Sequence, residues 1–244
     1  MLQKGRLFFS MIFTLLFFSA CQKEPSFGYQ DYKTLGISAN NLLSSSQYTS
    51  LLVQISYMPG FEPDASSINN LSLFLNSYCN KPAGIRIFSQ PIPTSGKINL
   101  TLNDVVAIEK KYRTVFTSGN LFTVHFLITD GYYNSTTTFG TSYWNSSSCI
   151  FGQAIYDNAG GIGQVTRPNL VSTILMHEFG HLLGLVNQGS PMQAAHVDAA
   201  NGAHCTNSNC LMHYAIETST AGGNGTIPSL DGNCVSDLKA NGGK

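Results

Sequence analysis

Two histidines four residues apart, with a glutamate beside the first, stand in His177-Glu178-Phe179-Gly180-His181. On a helix, positions four apart lie on one face, one turn above the other. Two imidazoles so placed can grip one zinc ion, and Glu178 can then reach a water bound to the metal. The chemistry implied is metal-assisted hydrolysis. The helix that must carry it is written around the motif: residues 169–184 form an apolar stretch with helical spacing, opened by Pro168.

The segment after the motif bears a family likeness. Leu182, Leu183 and Gly184 complete His-Glu-Phe-Gly-His-Leu-Leu-Gly, which resembles the metzincin pattern of zinc peptidases. The resemblance implies that Gly184 ends the helix in a conformation most residues avoid, turning the chain back toward the metal. It places a third ligand three residues later, where this chain has Asn187, a poor zinc ligand. The string from His204 through Cys205 and Cys210 to Met212 resembles the archaemetzincin signature, in which the third histidine is followed by Cys, four residues, Cys, one residue and Met. The resemblance implies His204 as third ligand, with residues 187–203 inserted before it. His196 is the alternative third ligand; otherwise it is a solvent histidine on the inserted loop.

By the same resemblance Met212 is the methionine of a Met-turn, an apolar floor beneath the zinc or simply a core residue. Met212-His213-Tyr214 also resembles the astacin form of this turn. That likeness implies Tyr214 as a donor to the developing oxyanion, against a plain packed tyrosine. Archaemetzincins use four cysteines for a second, structural zinc. Here only Cys234 follows Met212, with no Cys-x-x-Cys. That argues for one catalytic Zn2+ and against a second ion, and a Cys205–Cys210 disulfide clipping the Met-turn segment fits an oxidising compartment better. A thermolysin-like arrangement would need a glutamate on a later helix; Glu217 is the nearby acid, without that helical context.

The elements before the zinc helix alternate. Residues 48–58 read as a strand closed by Pro59-Gly60, 64–78 as a helix capped by Asp64, and 84–88 as a strand closed by Pro91. Residues 101–116 read as a helix with Thr101 and Asp104 as a capping box, and 121–128 as an apolar strand in which His125 is a core or sheet-face residue. Short strands follow at 139–144 and 149–156, and a last helix at 230–240. Such alternation implies parallel strand pairs with crossover helices. The expected fold is α+β: a metzincin-like zincin with a twisted mixed sheet, crossover helices, an active-site helix and a small irregular C-terminal subdomain. An extended substrate would add a strand to the sheet edge, which residues 149–156 are expected to form.

Composition bounds the rest. The 244 residues are 11% charged, with 13 basic and 13 acidic side chains, so nothing favours nucleic acid. Lys4 and Arg6 precede an apolar run over residues 7–18, too short to span a bilayer and right for an export signal. Ser19-Ala20-Cys21 then resembles a bacterial lipobox, which implies cleavage before Cys21 and a lipid thioether on its sulfur. The expected organisation is a signal peptide at 1–20, a lipidated N-terminus and tether at 21–47, and a catalytic domain at 48–244, its upper part 48–185 and its lower part 186–244. The function implied is an envelope-anchored zinc endopeptidase at the outer membrane or cell surface, monomeric, acting on peptide or protein and touching the membrane only through lipid. The alternative is a surface binding lipoprotein with a structural zinc and no catalysis.

Overall fold

Residues 30–216, 218–219 and 225–244 are described by the computed structural model. The expected signal peptide at 1–20, Cys21 and Glu217 lie outside the described residues.

Near-continuous apolar runs make β1 (Ser50–Tyr57) and β3 (Leu121–Thr129), which suits strands covered on both faces. They are neighbours in a five-stranded sheet of order β2-β1-β3-β5-β4, with β2 at Ile85–Pro91, β4 at Gly140–Trp144 and β5 at Ser147–Phe151. All pairings are parallel except β4 with β5, an antiparallel hairpin at one edge. The crossover helices are α2 (Ala65–Tyr78) and α3 (Leu102–Tyr112); α1 (Ala39–Leu43) precedes β1. Asp64 caps α2 by accepting from the Ser66 and Ser67 amides, and Thr101 with Asp104 closes the predicted capping box on α3.

Strand alternation sorts the core into two clusters. Val53, Ile55, Phe122, Val124, Phe126 and Ile150 face the side on which α5 (Arg167–Leu182) and α2 pack. Leu127, Cys149 and Phe151 face the other, against Val105 of α3. On that second side a polar knot is buried: Arg113 pairs with Asp31 at 3.0 Å and Glu109 at 2.9 Å, and the His125 Nε2 lies 3.0 Å from Ser56 Oγ. Burial holds His125 neutral, its pKa well below the ordinary value.

Two expectations need correction. Residues 31–47 are not tether: Asp31 is buried against Arg113 and Thr117, and Leu42 and Leu43 of α1 are in the main core. The domain therefore starts at least 17 residues before position 48. Residues 149–156 do not form the edge strand either. β5 is an interior strand that stops at Phe151, and α4 (Gly152–Asn158) follows. Gly152 is where the strand gives way, because a Cβ there would lie 2.4 Å from the Phe61 ring and 2.5 Å from the Thr129 carbonyl. The edge is β4. The C-terminal part is irregular apart from α6 (Gly232–Ala240), as expected. No helix among the described residues is long and apolar enough to cross a membrane.

Candidate metal centre

Helix α5 is started by Thr166, whose hydroxyl accepts from the Asn169 amide, with Pro168 in its first turn. Its last turn is cut by Gly184 at φ +73°, where a Cβ would sit 2.6 Å from the Ser190 amide nitrogen. The Ser190 amide bonds back to the Gly184 carbonyl at 2.8 Å, so the chain reverses there. Val186 and Asn187 continue the reversal with positive φ, and the exposed Asn187 leaves the site. The chain returns seventeen residues further on at His204.

His177, His181 and His204 come together. Their ring centroids form a nearly equilateral triangle of 4.9, 5.3 and 5.1 Å, and one ligand atom from each lies within 4.8 Å of the others. Every Nδ1 is engaged on the far side. His177 Nδ1 lies 2.7 Å from the Leu211 carbonyl, His181 Nδ1 lies 3.1 Å from Gln188 Oε1, and His204 Nδ1 lies 2.8 Å from the Asn201 carbonyl. These partners can only accept, so each Nδ1 carries the hydrogen and each Nε2 lone pair is left for a cation. Burial pushes His177 down to about 4 and His181 well below its ordinary value, so both stay neutral, as metal ligands must.

Glu178 is buried beside them and lines the same groove. Burial pushes its pKa up to about 7, against the pull of a hydrogen bond from Ser142. The groove has a volume of about 700 Å³ and is walled by β4 on one side and by Tyr214 and Ile216 on the other. Tyr214 is half exposed there, with its ring tilted against His213. Met212 is fully buried under α5: a Cβ on Gly180 would lie 2.3 Å from its sulfur. The glycine inside the His-Glu-Phe-Gly-His motif is thus what lets the methionine close up beneath the helix.

His196 is neither a third ligand of this triad nor a solvent residue. It is buried, with Nε2 2.8 Å from Asp237 Oδ2 and Nδ1 3.4 Å from Cys205 Sγ. With Cys205, Asp231 and Cys234 it forms a second group of donors mutually within 4.8 Å. The expected Cys205–Cys210 disulfide does not form, because nearness in sequence does not aim the sulfurs at each other. Cys205 Sγ points to His196 and Asp231, whereas Cys210 Sγ lies 3.6 Å from Cys234 Sγ. Hydrogen bonding with Cys234, and from the Asp231 and Met212 amides, lowers the Cys210 thiol below its ordinary value. Soft sulfur donors beside a buried imidazole fit zinc.

Several working residues carried no sequence signal. Gln188 and Asn201 orient His181 and His204 from the loop between them, and Gly140 and Ser142 touch Glu178 from β4, 36 or more residues upstream. Only the fold brings them together.

No family model matches the chain, and no curated protein matches it. Among solved structures it is similar to archaemetzincin from Methanopyrus kandleri, with 14% identity and a TM-score of 0.52 over 79% of this chain and 96% of that chain. A weaker likeness, TM-score 0.43 at 16% identity, is to metalloproteinase-II from Bacteroides fragilis, over 81% of this chain and 55% of that chain. At such identity the archaemetzincin likeness is one of fold: a mixed α/β chain with a mostly parallel five-stranded sheet, carrying its own group of three converging histidines.

Proposed function

We propose that this chain is a zinc-dependent endopeptidase. One observation carries the reading: three imidazoles, each anchored through Nδ1, converge on one point, with the buried carboxyl of Glu178 in the same groove. Three imidazoles with an open side toward the groove fit a catalytic zinc better than a structural one, which is closed by four protein ligands. Zinc held there supplies a Lewis acid that acidifies water and polarises a carbonyl. Glu178 takes the proton from the attacking water and hands it to the leaving amine, from a place in the groove beside the three histidines. Tyr214, on the opposite wall, donates to the oxygen on which charge develops. The open edge of β4 offers unpaired backbone groups to an extended peptide.

His196, Cys205, Cys234 and Asp231 are assigned, within the same proposal, a second and structural ion. The proposal also includes export and lipidation at Cys21, supported by the short basic region, the apolar run over residues 7–18 and Ser19-Ala20 before the cysteine. The protein then sits at the cell envelope as a monomer with a peptide or protein substrate.

The test is cleavage of a casein-type substrate by purified protein of known zinc content. Cleavage is expected to stop with a chelator and return with zinc. Glu178→Gln is expected to keep its zinc and to lose at least about a hundredfold in kcat. Normal turnover by that variant removes Glu178 from its role. Stoichiometric zinc without any hydrolysis favours the binding-protein alternative.

A further inference from the structure

Glu178 is not simply buried; it is held from the sheet edge. Ser142 Oγ on β4 lies 2.8 Å from Glu178 Oε2 and 3.0 Å from the Glu178 carbonyl, and 2.7 Å from Ser148 Oγ. Ser142 and Ser148 are directly opposite in the β4–β5 register. The direction of the chain of bonds is fixed by chemistry. When Glu178 is ionised its carboxylate and carbonyl can only accept, so the single Ser142 proton points at Glu178, and the fully buried Ser148 is left to donate to Ser142. The other carboxyl oxygen is bounded by Gly140, where a Cβ would lie 2.6 Å from Oε1. One oxygen is thus tied and the other is fitted against a bare Cα.

The strand that does this is itself fixed. The β4–β5 register shifts between Ser142 and Trp144, which inserts Tyr143 as an extra residue. Bulges of this kind re-aim side chains next to functional sites. Here Tyr143 goes to the opposite face, where its hydroxyl is 2.5 Å from Glu109 Oε2, and Glu109 is paired with Arg113. Ser142 is left facing α5.

We infer that Ser142, backed by Ser148, is a positioning residue that sets the orientation of the Glu178 carboxylate for proton transfer. The inference rests on the endopeptidase reading, since positioning matters only if Glu178 moves protons. A base held within a fraction of an ångström of its working place keeps the rate that free rotation would forfeit.

The experiment combines kinetics with a metal-free double-mutant cycle. Ser142→Ala is expected to lower kcat about tenfold, the equivalent of one charge-assisted hydrogen bond, with KM and zinc content unchanged. Ser142→Thr, which keeps the hydroxyl, should recover most of the rate, and Ser148→Ala should lose less than Ser142→Ala. In metal-free protein, Ser142→Ala should lower the urea midpoint in the parent and lower it less in a Glu178→Ala background. Equal midpoint shifts in the two backgrounds, or a kcat for Ser142→Ala equal to that of the parent, overturns the inference. If Ser142→Ala does not fold, Ser148→Ala and Ser142→Thr carry the same comparison. Failure of the parent itself to cleave any substrate with zinc bound sinks the endopeptidase reading instead, and the cycle then reports on the Ser142–Glu178 contact alone.

Discussion

Adding one methyl group to Gly140 isolates the geometry of Glu178 from the stability of the domain. The Cβ of an alanine there would fall 2.6 Å from Glu178 Oε1 and 2.9 Å from its Cγ and Cδ, whereas ordinary contact starts at 3.4 Å. The carboxyl must therefore retreat by about 0.8 Å, the difference of those two distances. Gly140 is not among the glycines with positive φ, so alanine introduces no backbone strain. Gly→Ala at a tolerant φ gains about 0.4–1 kcal/mol from the unfolded chain. That gain opposes the cost of shifting a buried carboxyl tied to Ser142, and the net change in stability stays within about 1 kcal/mol. A displacement near 1 Å of a catalytic group costs about a hundredfold. Gly140→Ala is thus expected to melt within a few degrees of the parent, to bind the same zinc, and to turn over a peptide about a hundredfold more slowly at unchanged KM. Gly232→Ala, with nothing within 4 Å of the new Cβ, serves as the silent control. Parent-like kcat in a folded, zinc-loaded Gly140→Ala protein would refute the claim that the position of the Glu178 carboxyl against β4 governs the rate.

The two imidazoles weighed for the third ligand are separable by metal content. His204→Ala should lose the catalytic ion and all hydrolysis, whereas His196→Ala should lose the second ion; a His204→Ala protein that keeps full activity reverses the assignment. Acid should destabilise the metal-free protein: His177 takes up its proton near 6.5 when unfolded but only at about 4 when folded, so its contribution is present above 6.5 and is lost as pH falls toward 4. That difference of about 2.5 units is worth about 3 kcal/mol. His125 and His181 act in the same direction, and Glu178 and Glu109, both raised by burial, act against them. Urea unfolding at pH 7.5 and 4.5 measures the net loss, and a His177→Asn protein with an undiminished pH slope would remove His177 as its source.

What could be read from the residues alone was local. The zinc helix showed because its ligands repeat with the helical period, and the capping residues Asp64 and Thr101 showed because caps are made within four residues. His204, the third member of the group, showed only through the string after it, because it does not stand at the spacing the motif implies. What failed was non-local. Asp31 looks like a solvated charge in a polar tail, and only the fold supplies Arg113, 82 positions away. Residues 149–156 carry strand formers at both ends, Ile150 and Phe151 before Gly152 and Ile155 and Tyr156 after it, but the strand stops at Phe151, where Phe61 and the Thr129 carbonyl crowd Gly152, and the same Ile155 that reads as strand is buried from a helix. Cys205 and Cys210 are neighbours in sequence that serve different partners in space.

The insertion that hid His204 is also what fixes it. Cys205, the next residue, receives four constraints: its amide donates to the Met212 carbonyl at 2.8 Å, it bridges Val197, and its sulfur lies against His196 and Asp231. The Asp198 amide bonds the His204 carbonyl at 2.7 Å, and the Thr206 amide bonds the His196 carbonyl at 2.9 Å, so the two sides of the insertion are zipped together around the histidine. Met212 in turn is pressed against Gly180, between the two ligands of the helix. A path of direct contacts therefore runs from the second donor group through Cys205 to His204, and through Met212 to α5. A ligand three residues after Gly184 would be held by the turn at that glycine. Here seventeen further residues separate turn and ligand, and loop closure over that length costs conformational entropy that local turns cannot offset. The buried His196, Cys205 and Cys234 with the half-buried Asp231, from the loop, the returning chain and the start of α6, supply the missing constraint at the base of the loop. The second group is thus best understood as the device that makes a distant third histidine workable.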